Sequence, residues 1–145
     1  MKQILVVDMN CRKGSLAILE FVLPIVAASG KPDACVVKHY SEVGADDVRM
    51  CGMIILSGAA LKDYAYLDDV SKFMWLAEVD VPVLGICAGM QIIGAVFGAS
   101  AGRCREIGMT DVETVEKNPL FSGKFSAYEL HNRVVDVPSD FWYLV

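Results

Sequence analysis

Short, uninterrupted hydrophobic runs alternate with segments of helical spacing through most of the chain. The runs cover residues 4–7, 34–37, 53–56 and 81–86. A continuous apolar run of this length is typical of a parallel strand with both faces covered. The alternation therefore predicts an α/β fold: an open, mostly parallel sheet with helices on both faces, whose ligands bind at the carboxyl ends of the strands.

Three segments between or after these runs are predicted to be helices. Ser15 is a suitable cap for the first helix, which Pro24 should kink or divide. The apolar faces of the first two helices are predicted to be Leu16, Leu19, Leu23 and Val26, and then Leu67, Val70, Phe73, Met74 and Ala77. The third helix, over residues 88–97, is apolar nearly all round, which indicates a buried position.

The pattern changes in the last third of the chain. Residues 110–115 and those around 128–130 alternate between apolar and polar, which predicts half-exposed antiparallel strands added to the sheet. No repeat or linker divides the sequence, so residues 1–145 are expected to form a single domain. The sequence stops in the aromatic run 141–145, and we expect this domain to be cut within a strand and incomplete at its C-terminus.

Composition excludes several classes of protein. Apolar residues make up 54% of the 145 residues and charged residues 21%, which is enough for a core and too apolar for a disordered chain. The net charge of −5 argues against a nucleic-acid partner. Residues 81–102 carry no charge, but a proline, five glycines and a glutamine interrupt them, so a buried strand and helix explain them better than a membrane span.

Five cysteines and two histidines show no C-x-x-C spacing. This set predicts neither a zinc site nor a disulfide framework, and we expect no metal. Reduced thiols in a cytoplasmic protein are the simplest interpretation.

One cysteine stands in a distinctive sequence, Gly85-Ile86-Cys87-Ala88-Gly89, between a predicted strand and a predicted helix. The G-x-S-x-G nucleophile elbow has the same arrangement, in which small neighbours permit a strained turn. A cysteine at a helix N-terminus is expected to favour the thiolate, and the Ala88 N–H is placed to stabilise an oxyanion. The alternative is that Cys87 is a buried apolar residue and the glycines serve packing alone.

A second candidate segment, Ser57-Gly58-Ala59-Ala60, follows the preceding strand. Because ends of neighbouring parallel strands lie side by side, the N–H groups of Gly58 and Ala59 are expected to complete an oxyanion hole beside Cys87. An ordinary strand-to-helix turn is the simpler alternative for this segment.

Several motifs together resemble the class I, Cys-His-Glu triad glutamine amidotransferases. They are Ile54-Ile55-Leu56-Ser57-Gly58, the elbow with Gln91, Phe97-Gly98, Glu106-Ile107-Gly108, Pro119-Leu120-Phe121, His131 and Val137-Pro138 with Phe141, in the family's order. The Glu-Ile-Gly and Pro-Leu-Phe elements are most similar to the GMP synthase glutaminase domain and its stand-alone relatives. The resemblance implies a flavodoxin-like fold over nearly the whole chain.

The resemblance also implies roles for individual residues. Cys87 would be the nucleophile that takes the γ-glutamyl group from glutamine and releases ammonia, with oxyanion donors at Gly58, Ala59 and Ala88. Gln91 would hold the amino-acid end of the substrate, and His131 would line its pocket. No cofactor is implied; ATP and magnesium would belong to a synthetase partner that receives the ammonia.

The chain departs from the family pattern at several positions. Ala59 and Ala60 replace the usual glycine and proline, and Leu130 and Arg133 replace a serine and an acidic residue around the pocket histidine. The sequence contains no His-Pro-Glu, the motif that supplies the other two triad members. Two alternatives follow: a non-catalytic relative that binds glutamine or a partner protein, or another cysteine hydrolase that shares the elbow.

Overall fold

A four-stranded parallel sheet forms the centre of the computed structural model, which describes residues 2–142. Its strands are β1 (Gln3–Asp8), β2 (Cys35–His39), β3 (Cys51–Leu56) and β4 (Val83–Gly85), in the order β2-β1-β3-β4. The predicted parallel sheet is therefore confirmed, although β4 is shorter than the predicted run. The order places the carboxyl ends of β3 and β4 side by side.

The core lies against the two central strands. Leu5 and Val7 of β1 and Ile54 and Leu56 of β3 are buried, as continuous apolar runs predict. Phe73 belongs to the same core cluster and is the largest fully buried side chain of the described residues.

The first predicted helix is divided in two, α1 (Ile18–Phe21) and α2 (Leu23–Ala28), with Pro24 in the first turn of α2. The predicted division at this proline is confirmed, because a proline fits a first turn and not a helix interior. The predicted cap is wrong: α1 begins after Ala17, and Ser15 lies in the preceding turn. The predicted buried face is also wrong, since Leu16, Leu19 and Leu23 are exposed and the buried residue is Val22.

The second predicted helix is only partly α-helical. After α3 (Ala45–Met50), the short α4 (Ala65–Asp68) leads into a 3₁₀ helix over Val70–Glu78, and two further 3₁₀ turns cover Pro32–Ala34 and Tyr40–Glu42. Three residues per turn align Phe73 with Leu76, and both are buried. Met74, predicted for the same face, is therefore half exposed.

Helix α5 (Ala88–Val96) connects the sheet to an antiparallel ribbon of β5 (Ala101–Glu113) and β6 (Lys124–Val135). The ribbon is a separate two-stranded sheet, so the expectation that these strands extend the main sheet is wrong. Asn132 holds the ribbon by donating to the Leu61 carbonyl (3.0 Å) and the Tyr64 hydroxyl (2.6 Å). A Cβ on Gly94 of α5 would overlap Val135 Cγ1, so the ribbon also packs closely on that helix.

Two remaining expectations concern the C-terminal run and the membrane. Residues 143–145 of the predicted terminal strand lie outside the described residues. Phe141 packs against Phe97 with 5.1 Å between ring centroids. Within residues 2–142, every helix is too short or too polar to cross a bilayer.

Candidate active site

Cys87 occupies a strained turn between β4 and α5. Its φ of 49° and ψ of −100° make it the only residue other than glycine with positive φ in the described part of the chain. Such a conformation costs about 1–3 kcal/mol and persists only where the surroundings enforce it. The turn has the geometry that the predicted elbow requires.

The two glycines around the cysteine are required by close backbone approach. A Cβ on Gly89 would lie 2.5 Å from Leu56 Cβ and 2.6 Å from the Leu56 carbonyl oxygen. A Cβ on Gly85 would lie 2.7 Å from the backbone of Gly89 and Met90. Helix α5 therefore sits directly on the carboxyl end of β3, and the sharp turn at Cys87 follows from that contact.

Two of the predicted oxyanion donors, Gly58 and Ala59, line the same cavity as this cysteine. Gly58 follows β3, and a Cβ built on it would lie 3.8 Å from Cys87 Cβ. Ala59 is buried and has negative φ, so an alanine fits this position without the conformation that glycine favours. Among the described residues, neither of these N–H groups donates a hydrogen bond. The backbone N–H of Ala88, the next residue, lowers the pKa of the Cys87 thiol.

A cavity of about 310 Å³ opens at the cysteine. Besides Gly58, Ala59 and Cys87, it is lined by Glu20, Phe21, Pro24, Ile25, Leu61, Ile86 and Leu130. The sequence did not predict that α1 and α2 form one wall of this cavity. A helical pattern in a sequence does not indicate which end of the sheet the helix will cover. The cavity is thus largely apolar, with one carboxylate among its lining residues.

The Cys87 thiol does not have the depressed pKa expected at a helix N-terminus. Burial raises its pKa, and the Ala88 N–H only partly opposes that effect. No histidine lines the cavity in the described part of the chain, so no imidazolium stabilises the thiolate. Burial therefore opposes the expected thiolate, and the role of Cys87 as the nucleophile stays a prediction.

Gln91 lies on α5, one turn after the cysteine, with its side chain buried. Its Oε1 accepts a 2.9 Å hydrogen bond from the hydroxyl of Tyr66, which is also buried. The cavity at Cys87 is not lined by Gln91. Its predicted contact with substrate stays a prediction.

His131 lies on β6 and lines a different cavity, of about 480 Å³. Its neighbour Leu130 lines the cavity at Cys87, because successive side chains of a strand point to opposite faces. His131 instead contacts Glu106, at 2.9 Å, and Cys104, at 3.4 Å.

The other histidine, His39, is buried and hydrogen-bonded to the Asn10 carbonyl and the Ser41 hydroxyl.

The sequence is similar to those of known glutamine amidotransferases. The family model for class I glutamine amidotransferases matches residues 34–144. A glutamine-hydrolyzing GMP synthase subunit from Thermoplasma acidophilum is 32% identical over 95 residues, which cover 61% of this chain and 48% of that protein. The corresponding protein from Saccharolobus solfataricus is 27% identical over 138 residues, 81% of this chain and 72% of that protein. A GMP synthase from Phenylobacterium zucineum is 37% identical over 93 residues, 61% of this chain and 18% of that protein.

The fold has close matches among solved structures. One assigned to a GMP synthase subunit from Thermoplasma acidophilum superposes with a TM-score of 0.73 and 21% identity, covering 97% of this chain and 70% of that one. A glutamine amidotransferase from Thermotoga maritima superposes with a TM-score of 0.63 and 20% identity, covering 96% of this chain and 64% of that one. With the family model matching most of its length, the chain belongs to the class I glutamine amidotransferase family.

Proposed function

We propose that this chain is a glutaminase domain in which Cys87 attacks the side-chain amide of glutamine. The observation that carries the proposal is the positive φ of Cys87 at a cavity that Gly58 and Ala59 also line. A strained nucleophile with backbone donors around it suits acyl transfer.

The reaction begins with the thiolate of Cys87 attacking the amide carbon of glutamine. The carbonyl oxygen becomes an oxyanion, which the N–H groups of Gly58, Ala59 and Ala88 stabilise. The carbon–nitrogen bond then breaks, the nitrogen takes the proton that the Cys87 thiol lost when the thiolate formed and leaves as ammonia, and a γ-glutamyl thioester remains. Water hydrolyses the thioester to glutamate and restores the thiol. No metal or organic cofactor takes part in these steps.

Two proton transfers in this scheme need a base, and the cavity offers no histidine among the described residues. General acid–base catalysis is worth about 10²–10⁴-fold, so the turnover of this chain by itself should be slow. We infer that the ammonia serves an ATP-dependent synthetase partner of the GMP synthase type, as the relatives' names suggest. Five free cysteines suit a cytoplasmic location for this protein.

The test is covalent labelling with a diazo-ketone analogue of glutamine, followed by intact-mass measurement. We expect one adduct, mapped to Cys87, blocked by excess glutamine and lost in Cys87→Ala. Cys11→Ser is the matched control, because Cys11 is an exposed cysteine outside the cavity. An adduct that glutamine does not block, or no adduct at Cys87, overturns the proposal.

Ammonia release supplies a second readout of the same site. Added imidazole should raise glutaminase turnover of the wild-type chain by supplying a base, which the cavity lacks among the described residues, and should have no effect on Cys87→Ala. The departures from the family pattern at Ala59, Ala60, Leu130 and Arg133 favour a second candidate, a domain that binds glutamine without hydrolysing it. Calorimetric binding of glutamine with no adduct and no imidazole effect would establish that candidate instead.

A further inference from the structure

The ribbon β5–β6 brings together three side chains that are distant in sequence. Cys104 and Glu106 are two residues apart on β5, and Glu106 pairs across the ribbon with His131 of β6. One ligand atom from each, the cysteine sulfur, a carboxylate oxygen and a ring nitrogen, lie within 4.8 Å of one another. This set is the only group of three such side chains in the described part of the chain.

A bulge in the ribbon produces this cluster. Arg103 pairs with Arg133 and Glu106 with His131, so two residues of β5 face only Asn132 on β6. A bulge of this kind redirects side chains, and bulges are frequent beside functional sites. The backbone of two paired strands therefore fixes the positions from which all three side chains project.

We propose that Cys104, Glu106 and His131 bind a Zn²⁺ ion. Sulfur, imidazole nitrogen and carboxylate oxygen are the donors that zinc takes in proteins, and three protein ligands leave a fourth position for water. The site is separate from Cys87 and does not depend on the proposed glutaminase reaction.

The geometry of two ligands already suits a single ion. Cys104 Sγ lies 3.4 Å from His131 Nδ1. Tetrahedral bonds of ordinary length to sulfur and nitrogen place those atoms about 3.6 Å apart. The Arg133 carbonyl oxygen, 3.1 Å from the same nitrogen, accepts a hydrogen bond from Nδ1–H in the tautomer that carries a proton there, and an ion at Nδ1 would replace that proton.

Glu106 is the ligand that has to move. Its carboxylate now contacts the opposite ring nitrogen, Nε2, at 2.9 Å, and an ion at Nδ1 requires it to change rotamer. The side chain is 55% exposed, so little packing opposes this change. Glu129 then replaces it at Nε2, since its carboxylate is 3.9 Å from that nitrogen and accepts a hydrogen bond from Thr110. A carboxylate on the second nitrogen is the usual partner of a metal-bound histidine.

The sequence alone did not predict this site. Zinc motifs are recognised by short cysteine and histidine spacings, whereas this cluster combines Cys-x-Glu with a histidine on another strand. Only the register of the ribbon joins them. If His131 binds zinc, it is not available as a histidine of the glutamine pocket.

The test uses the full chain, freed of metal and carrying no histidine tag. Co²⁺ serves as a spectroscopic probe, and Zn²⁺ affinity is measured by competition with a chromophoric chelator. We expect one equivalent of Co²⁺ with a sulfur-to-cobalt charge-transfer band, displaced by Zn²⁺. Cys104→Ser should abolish the band, and Cys11→Ser and Cys87→Ala should retain it.

Affinities of two glutamate variants refine the assignment. Glu129→Gln should weaken Zn²⁺ binding by about 10–100-fold, the usual loss for an outer partner, and Glu106→Gln by more. Binding that persists in Cys104→Ser, or a cobalt spectrum without the sulfur band, overturns the proposal.

A measurement on the wild-type chain tests the zinc site even if the variants do not fold. Zn²⁺ should slow alkylation of Cys104, mapped by mass spectrometry, and leave alkylation of the exposed Cys11 unchanged. Equal rates with and without Zn²⁺ contradict the site. Labelling of Cys87 by the glutamine analogue is scored separately, so failure of either proposal is recognisable by itself.

Discussion

The hydroxyl of Tyr66 donates a 2.9 Å hydrogen bond to Oε1 of Gln91, and both side chains are buried. Tyr66→Phe leaves that oxygen without its donor, so we expect the free energy of unfolding to fall by about 1–3 kcal/mol in urea titrations. Tyr128→Phe is the control, because Tyr128 is exposed, and its effect should stay within about 0.5 kcal/mol.

A double variant separates this hydrogen bond from simple packing. Tyr66→Phe combined with Gln91→Met removes both polar groups together, and it should cost less than the two single variants summed. Strict additivity of the two changes would mean that the hydrogen bond contributes nothing.

The contact between Gly89 and Leu56 predicts the most damaging small substitution at the elbow. Gly89→Ala places a methyl group 2.5 Å from Leu56 Cβ and against the backbone of β3, which cannot move aside. We expect a loss of about 1–3 kcal/mol in the free energy of unfolding and loss of Cys87 labelling by the glutamine analogue. Gly44→Ala is matched to it, because its new Cβ makes an ordinary 3.7 Å contact with Asp47. Equal costs for the two variants would contradict the close approach.

The elbow could be predicted from sequence because its determinants are local. A strand, a tight turn and a helix can meet at Cys87 only if Gly85 and Gly89 lack side chains, and that requirement is visible in nine consecutive residues. The parallel strands were predicted for a similar reason, since continuous apolar runs need cover on both faces.

The predictions that were wrong concern features set by contacts between residues distant in sequence. Helical spacing marked Leu16, Leu19 and Leu23 as one apolar face, but spacing does not show which residue the sheet covers, and Val22 is buried instead. The 3₁₀ helix over Val70–Glu78 was not predicted for the same reason, because its period of three residues is set by packing. Register across the ribbon, which places His131 against Glu106, has no local signal at all.

Strain at Cys87 makes a specific prediction about two variants. Cys87→Gly removes the Cβ and therefore relieves the strain of the positive φ, whereas Cys87→Ala keeps the Cβ and the strain. Relief is worth about 1–3 kcal/mol, and the greater freedom of glycine in the unfolded chain offsets about 0.4–1 kcal/mol of it. Thermal unfolding should therefore show Cys87→Gly to be more stable than Cys87→Ala, and the opposite order would argue against a strained elbow.

The raised pKa of the Cys87 thiol predicts how its reactivity depends on pH. Because burial disfavours the thiolate, alkylation of Cys87 by iodoacetamide should still be rising above the pH at which an ordinary thiol is fully ionised. A plateau of the rate near neutral pH would instead indicate an activated thiolate. Quantitative mass spectrometry of the Cys87 peptide gives the rate at each pH.

Stability should follow the same thiol in the alkaline range. The unfolded chain loses this proton at a lower pH than the folded chain, so the contribution of Cys87 is complete below the ordinary thiol pKa and is lost as pH rises through the folded value. The difference in unfolding free energy between wild type and Cys87→Ala should therefore shift against the wild type at alkaline pH. A difference that is constant with pH contradicts the raised pKa.

Helix α5 begins at the strained cysteine and meets the ribbon through Gly94 and Val135. One short helix thus connects the cysteine of the proposed glutamine cavity to the strand that carries His131. If a ligand on the ribbon changes the affinity of the cavity for glutamine by some factor, glutamine must change the affinity for that ligand by the same factor. Communication along this helix can therefore be measured from either end, by titrating one ligand in the presence of the other.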